Sequence, residues 1–322
     1  MSRAGSALLG TARFLARRLP GVVLTLLIST FVIYSALDLA PGSPLRALTG
    51  GRAVTPETAQ ALTEQYHLDD PFLVRYVDWL GGVVTGDFGS SYVAKGQPVG
   101  SLIVDRLPTT LWLLAFSALL IVVIGVGLGT FAALRGRRTQ AAVAGVTAVG
   151  MGVPSFVAAS VLISYFAVQL GWFPVFGPGS GFTDRIWHLT LPAIALALAS
   201  LAYVAQVSRA AVATELRRDH VTTAVARGFP RGQVVRRHVL RNAAIPIATV
   251  SGVTIAYLIT GTAIVEQAFQ LNGLGSLLIQ SVTTSDLPTV QGVCLVVVLA
   301  FLLVNVLVDA LYGLLDPRVG KR

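Results

Sequence analysis

The residue types that most often perform catalysis or bind metals are sparse and scattered in this sequence. The four histidines, His67, His188, His220 and His238, lie far apart and show no metal-ligand spacing. The single cysteine, Cys294, lies in an apolar run, so packing is its expected role and no intrachain disulfide can form. No G-x-x-x-x-G-K-[ST], G-x-S-x-G or H-E-x-x-H segment occurs. We therefore expect no catalytic centre in this chain and no metal or cofactor bound by it.

Carboxylates at the ends of long apolar stretches are the next candidates for chemistry. They are Asp38, Glu266, Asp286 and Asp309. A charged residue inside a membrane span usually belongs to an ion or proton pathway. Because these four carboxylates lie at the ends of apolar stretches, we expect most of them at the membrane–water interface. Glu266 is the strongest functional candidate among them. Without a charged relay inside the apolar stretches, the chain shows no energy source of its own.

One basic segment interrupts the apolar sequence, VTTAVARGFPRGQVVRRHVLRNAAIP from Val221 to Pro246. It contains five arginines and no acid. Val221, Ala224 and Val225 follow the i, i+3, i+4 spacing of one face of a short helix. Gly228 is predicted to end this helix.

A second short helix is predicted in the same segment, from about Gln233 to Leu240, with an apolar stretch following from Asn242. Two interpretations stay open for this pair of helices. The pair can rest on anionic lipid headgroups through its arginines. Alternatively, it can form a defined docking element for a cytosolic partner.

Composition sets the environment of these residues. The chain has 322 residues, of which 54% are hydrophobic and only 12% are charged, whereas soluble domains carry about 25% charged residues. Six windows lack Asp, Glu, Lys and Arg, with lengths of 19, 28, 45, 23, 24 and 22 residues. A membrane-spanning helix needs about 20 apolar residues. The sequence therefore predicts an all-α membrane protein with six transmembrane helices.

The predicted order of segments follows from these windows. The spans are 19–39, 107–134, 140–170, 187–213, 242–265 and 289–313. The segments between and around them are 1–18, 40–106, 214–241, 266–288 and 314–322. Residues 40–106 are expected to contain two short helices, about 56–66 and 71–81, and Pro154 and Pro192 are expected to kink their spans.

The charge distribution predicts the orientation. The segments 1–18, 135–138, 209–241 and 309–322 hold 18 of the 24 Lys and Arg residues but only four of the 15 acids. Cytoplasmic loops carry such an excess of positive charge, so both termini are predicted to be cytoplasmic. This also explains the net charge of +9 without a nucleic-acid partner. A cleaved signal peptide is the alternative interpretation of the first apolar stretch, but this stretch is longer than the usual apolar core of a signal peptide.

The basic segment resembles the "EAA" loop of ABC-importer permeases. In particular, DHVTTAVARGFPRGQVVRRHVLRNAAIP is similar to the first-subunit type of the dipeptide and oligopeptide branch, which typically has DYVRTARAKG followed by HALRNALIP. LDDPFLVRYVDWLGGVVTGDFGSSY, LIVDRLPTTLWL, VEQAFQLNGLGSLLIQSV and VNVLVDALYGLLDPR resemble other segments of that branch, so the likeness covers nearly the whole chain. Thr222 and Thr223 stand where the general motif begins with an acidic residue, and Asn272 stands where the branch usually has proline.

The resemblance implies the type I importer permease fold and a role as half of a transport pore. It implies a second permease subunit, two cytosolic ATPase subunits that bind ATP and magnesium, and an extracytoplasmic substrate-binding protein. It also implies a multi-pass protein of the prokaryotic plasma membrane. The ATPase-coupling residues expected from it are Asp219, Thr222, Thr223, Ala224, Ala226, Arg227, Gly228 and Phe229. The expected outer-gate residues are Glu266, Asn272, Gly273 and Gly275.

The substrate implied by the resemblance is a dipeptide or oligopeptide. Nickel chelates or other small solutes carried by the same architecture are alternatives, and so is a membrane channel or scaffold that is not coupled to ATP. No residue within the apolar stretches indicates which substrate side chains the protein prefers.

Overall fold

Within residues 3–38, 55–65, 69–94 and 96–315, which the computed structural model describes, the chain is helical and forms no β-strand. In chain order the helices are α1 Arg3–Asp38, α2 Pro56–Gln65, α3 Phe72–Thr85, α4 Val99–Leu134, α5 Arg137–Gly152, α6 Ser155–Gln169, α7 Gly181–Glu215, α8 Asp219–Ala226, α9 Arg231–Ala268, α10 Leu274–Thr283 and α11 Leu287–Leu315. Short π-helical turns occur within α4, α6 and α9. The all-α prediction is confirmed.

The long helices match the predicted spans in number. Five of the described helices, α1, α4, α7, α9 and α11, are long and apolar enough to cross a membrane, and the bent pair α5 and α6 brings the total to six if it counts as one span. The segment boundaries relative to the bilayer stay predictions. The C-terminal segment predicted for 314–322 lies largely outside the described residues, as do 39–54, 66–68 and 95.

The span predicted as one helix over 140–170 is instead two helices. α5 and α6 meet at a bend of 100°. Proline has no backbone N–H and disfavours a helical conformation of the residue before it. Val153 accordingly has ψ of 114°, and the Pro154 carbonyl accepts the N–H of Ala158 at 3.0 Å, which starts the new helix. The kink expected at Pro154 is therefore a full break.

The chain divides into two compact units. The first unit consists of residues 1–11, 111–271 and 303–322, and the second of 12–110 and 272–302. In the first unit α7 packs against α4, α5, α6 and α9, and its apolar face forms much of the core. Gly125 and Gly129 of α4 face the backbone of α7 so closely that a side-chain carbon at Gly129 would clash with the Ala205 carbonyl. This contact explains the first and last glycines of the GVGLG stretch, Gly125 and Gly129.

An aromatic cluster holds together α1 and α3 in the second unit. Phe31 and Tyr34 of α1 make edge-on contacts with Phe72 and Tyr76 of α3, with ring centroids 5.5–5.9 Å apart. Thr30 and Tyr76 share a hydrogen bond of 3.0 Å. Aromatic pairs of this geometry contribute beyond their buried area. The two short helices expected at about 56–66 and 71–81 are present as α2 and α3.

Candidate functional site

The short helix α8 is anchored in the first unit by two apolar side chains. Val221 and Ala224 are each only 4% exposed. They belong to a cluster with apolar residues of α4, α7 and α9, namely Ala133, Val212, Val234, Val239, Ala243 and Ile247. Asp219 lies in the first turn, where the helix dipole favours a negative charge. Burial of one face fixes how α8 lies on the bundle, and its opposite face is exposed.

Gly228 ends α8 in a left-handed conformation, with φ of +78°. The N–H of Gly228 donates to the Val225 carbonyl at 2.9 Å, and the N–H of Phe229 donates to the Ala224 carbonyl at 3.3 Å. These two bonds form a Schellman motif, which satisfies carbonyls at the end of a helix. The predicted helix stop at Gly228 is confirmed. A side-chain carbon there would meet no atom within 4 Å, so the backbone conformation, and not a close contact, favours glycine.

The second helix predicted from about Gln233 to Leu240 is not a separate element. α9 begins at Arg231, directly after Pro230, and continues without a break to Ala268. A π-helical turn at Val235–Leu240 takes up the transition to the long apolar part of the helix. The basic segment is thus one short helix, one tight turn and the first turns of a long helix.

The exposed side of this coupling segment, residues 219–229, carries most of the residues expected to contact an ATPase. Val225 is 60% exposed and Phe229 is 41% exposed, so two large apolar side chains face outward. Asp219, Thr222, Thr223, Ala226, Arg227 and Gly228 are exposed as well. Ala224, by contrast, is buried, so it anchors the helix and does not lie at the centre of the outward surface. The segment offers a mixed apolar and basic surface of defined shape.

A polar network that was not expected from the sequence joins α7, α8 and α9. Nε2 of His220 lies 3.3 Å from the carbonyl oxygen of His238, and Nδ2 of Asn242 donates to the same oxygen at 2.8 Å. An oxygen of Glu215 at the end of α7 lies 3.7 Å from Nε2 of His220, and the other lies 3.7 Å from Nε of Arg218. His220 and His238 are 18 positions apart and lie on different helices separated by the turn at 227–230, so no periodicity of the sequence indicates their contact.

Glu266, expected at the outer gate, is fully buried near the end of α9 in the first unit. Its side chain has 0% exposure, and its neighbours Val265, Phe269 and Leu271 are buried as well. The Glu266 carbonyl accepts the N–H of Leu271 at 2.8 Å. Glu266 is therefore enclosed by protein and is not exposed to solvent.

The other three residues expected at the outer gate begin α10 in the second unit. Asn272 is exposed, and its Oδ1 accepts a long hydrogen bond of 3.5 Å from Arg106. The N–H of Gly273 donates to Oγ of Ser276 at 3.1 Å, which caps the start of α10. Gly275 is buried. The turn that lacks the usual proline is thus tied by hydrogen bonds of its own.

Asp286, one of the four carboxylates at the ends of apolar stretches, is buried in the second unit at 3% exposure. Its carboxylate accepts hydrogen bonds from the hydroxyl of Ser91, from the N–H of Tyr92 at 3.0 Å and from the hydroxyl of Thr289 at 2.8 Å. Hydrogen bonds to a carboxylate are stronger than those between neutral groups, so several such donors fix the segments that carry them. Asp286 therefore pins the loop before α4 to the start of α11.

The described residues contain no group of three or more His, Cys, Asp or Glu side chains that could hold a metal ion. A cavity of about 780 Å³ lies in the first unit between α4, α9 and the end of α11. Its lining is aliphatic apart from the hydroxyls of Thr130, Thr249 and Ser251. It offers no charged partner to a polar substrate.

Two known protein families together match nearly the whole chain. Residues 11–114 match the family described as the N-terminal part of the binding-protein-dependent transport system membrane component. Residues 125–321 match the family described as the binding-protein-dependent transport system inner membrane component. The second match includes the coupling segment.

Relatives of full length agree with these matches. The chain is 36% identical to the oligopeptide transport system permease protein AppB of Bacillus subtilis, over 92% of this chain and 95% of that protein. It is 34% identical to the glutathione transport system permease protein GsiC of Escherichia coli, over 95% of this chain and 98% of that protein.

Among solved structures, the fold is similar to a chain of the inward-facing MetNI methionine ABC transporter. The TM-score is 0.57 at 17% identity, and the match covers 67% of this chain and 96% of that chain. The match supports the permease fold and, at this identity, nothing finer. The buried anchor and glycine stop of the coupling segment lie inside the matched family region, and we conclude that the chain belongs to the family of binding-protein-dependent transport system inner membrane components.

Proposed function

We propose that this protein forms one half of the membrane pore of an ATP-driven importer of dipeptides and oligopeptides. The substrate class is supported by relatives along the whole chain, which are named oligopeptide, peptide and glutathione permeases. Glutathione is itself a tripeptide. The single observation that carries the coupling part of the proposal is the outward surface of α8 and its turn, held rigidly by a buried face and a Schellman motif.

In this mechanism the partner subunits hydrolyse ATP and thereby supply the energy for transport. Two cytosolic ATPase subunits bind ATP and magnesium and hydrolyse the nucleotide. This chain contributes the coupling segment, with Val225 and Phe229 as apolar anchors in a groove of one ATPase subunit. Arg227 lies between them and suits an acidic rim around that groove. Closure of the ATPase dimer then moves α8, and rocking of the spans alternates access to the pore.

The remaining partners complete the pathway. A second permease subunit supplies the other half of the pore, and an extracytoplasmic binding protein delivers the peptide. The positive-inside charge distribution favours a cytoplasmic position of the coupling segment, next to the ATPases. The chain itself binds no metal or cofactor in this scheme, and lipid surrounds its apolar faces.

The test is reconstitution of the complex purified through a tag on this chain. We expect two ATPase subunits and a second permease to copurify, and ATP to drive uptake of a labelled short peptide into proteoliposomes supplied with the binding protein. Competition with unlabelled short peptides of increasing length defines the length preference. Uptake of a nickel chelate with no uptake of peptides would move the substrate to that alternative, and a homo-oligomer without ATPase subunits would favour the uncoupled channel or scaffold.

The coupling surface is tested by Val225→Glu. Burying a charge in an apolar groove is costly, so we expect the ATPase subunits to dissociate and uptake to fall at least about tenfold, the equivalent of roughly 1.4 kcal/mol. Val84→Glu is the matched control, because Val84 is 81% exposed on α3 in a segment predicted to be extracytoplasmic. Retention of the ATPases by Val225→Glu would contradict the assigned surface.

A further inference from the structure

The polar network around His220 connects the start of α8 to α7 and α9. His220 is the second residue of α8, and its ring lies beside two other helices, Glu215 of α7 on one side and the His238 carbonyl and Asn242 of α9 on the other. The turn at 227–230 already joins the far end of α8 to α9. The network therefore adds a second tie at the near end, so α8 is held to α9 at both ends.

The hydrogen bonds tie His220 to α9 in either neutral tautomer. With the ring hydrogen on Nε2, the ring donates at 3.3 Å to the His238 carbonyl oxygen, which also accepts Nδ2 of Asn242 at 2.8 Å. With the ring hydrogen on Nδ1, Nε2 instead accepts the second hydrogen of the Asn242 amide at 3.2 Å. Oε2 of Glu215 lies 3.7 Å from the same ring nitrogen. Both arrangements connect the start of α8 to the base of α9.

The acceptor lies in a π-helical turn, Val235–Leu240. A π-helical turn contains an extra residue, which displaces carbonyls from the regular α-helical hydrogen-bond ladder, and such turns are frequent at functional sites. The ring of His238 lies 6.4 Å from that of His220 and 6.2 Å from that of Phe229. One residue of α9 thus contacts both the start of α8 and the turn after it.

We propose that His220 and Asn242 are positioning residues that lock α8 to the base of α9, so that a push on the coupling helix moves the long helix as one body. This inference rests on the proposed function, because the push comes from an ATPase subunit. Without the lock, α8 can pivot on its apolar anchor, Val221 and Ala224, and part of the movement is lost in the turn. The loss falls on coupling and not on docking, because the apolar anchors of the docking surface, Val225 and Phe229, are unchanged in both variants.

The test compares His220→Ala and Asn242→Ala with two controls in the complete complex. Arg218→Ala removes the other ion-pair partner of Glu215. The Arg218 side chain is 63% exposed, and an ion pair with such a partner contributes little to stability. His188→Ala removes a histidine that also lies beside a carboxylate, Asp184 at 3.3 Å, but far from α8 in the chain. His220→Gln keeps a side-chain N–H donor and serves as the conservative rescue.

Two measurements are made on each variant. Hydrogen–deuterium exchange of the α8 amides should rise about fivefold in His220→Ala and Asn242→Ala, the effect of one lost hydrogen bond on local opening. The peptide transported per ATP hydrolysed should fall by a similar factor while the ATPase subunits stay bound. His220→Gln should restore most of both values, and the controls should match the wild type.

The possible outcomes separate the two proposals. Unchanged α8 exchange in both alanine variants overturns the lock. Equal loss of ATP hydrolysis and transport, with the ratio unchanged, overturns the positioning role even if exchange rises. If the wild-type complex shows no ATP-driven uptake, the proposed function fails, while the exchange measurement still decides whether α8 is locked to α9.

Discussion

At the scale of single residues, the coupling segment depends on a glycine whose importance comes from its backbone. Gly228 adopts φ of +78°, which an L-residue with a side chain reaches at a cost of roughly 1–2 kcal/mol. The space around it is open. A substitution there is therefore penalised by strain in the turn and not by a clash, and the Schellman hydrogen bonds to Val225 and Ala224 weaken with it.

We expect Gly228→Ala to loosen the turn and lower peptide uptake several-fold, with Gly228→Asn less affected because asparagine tolerates the left-handed conformation. Gly232→Ala is the matched control: Gly232 also has open space around it but lies in the first turn of α9 without a positive φ. Uptake in proteoliposomes and amide exchange of α8 check this. Identical behaviour of Gly228→Ala and Gly232→Ala would show that the left-handed conformation does not constrain the segment.

At the scale of elements, the packing of α4 on α7 depends on which glycines face the neighbouring helix. Gly125 and Gly129 are one helical turn apart and both meet the backbone of α7, near Leu201 and Ala205. Gly127 lies between them in the chain but faces away, and a side-chain carbon added to it would meet no atom within 4 Å. Close approach of backbones is a common basis of helix association in membranes, where apolar side chains gain little over lipid.

We expect Gly129→Ala to destabilise the protein by about 1–3 kcal/mol, because the added methyl group must displace α7. Gly127→Ala should be neutral or slightly stabilising, since alanine favours the helix and meets nothing. Thermal unfolding of the complex in one detergent, with the two variants purified side by side, compares them. A lower midpoint for Gly127→Ala than for Gly129→Ala would contradict the assigned contact.

At the scale of the whole molecule, charge and hydrophobicity decide how the chain crosses the membrane. The surplus of Lys and Arg in four short segments predicts that both termini and the coupling segment are cytoplasmic. The 40–106 segment, which holds α2 and α3, is predicted to lie on the opposite side. In this predicted topology, the docking surface proposed for α8 faces the cytoplasm, and the proposed binding protein acts from the other side of the membrane.

The orientation is tested with single cysteines in a Cys294→Ser background. Thr222→Cys should react with a membrane-impermeant maleimide only after the cells are permeabilised, whereas Thr58→Cys should react in intact cells. Both threonines are exposed on short helices, so a difference in labelling reports the side of the membrane. Labelling of Thr222→Cys in intact cells would reverse the topology and remove the coupling segment from the cytosolic ATPases.

Much of the molecule could be predicted from local features of the chain. Runs of about 20 uncharged residues have few stable environments other than lipid, and the chain contains six suitable windows. The glycine at position 228 carries a local conformational preference, so the end of α8 was predictable as well. The break at Pro154 was expected only as a kink, because the missing N–H is a local fact whereas the resulting angle depends on the neighbouring helices.

The sequence by itself determined the membrane environment, the helical class, the end of α8 and the resemblance to importer permeases, because these follow from hydrophobicity, charge and short motifs. Only the tertiary structure decided which face of α8 is buried, that Asp286 and Glu266 are enclosed, and that α9 absorbs the predicted second helix. Only the tertiary structure shows that His220 lies beside Asn242 and the His238 carbonyl. These contacts depend on how three helices pack, and the spacing of residues along the chain does not indicate that packing.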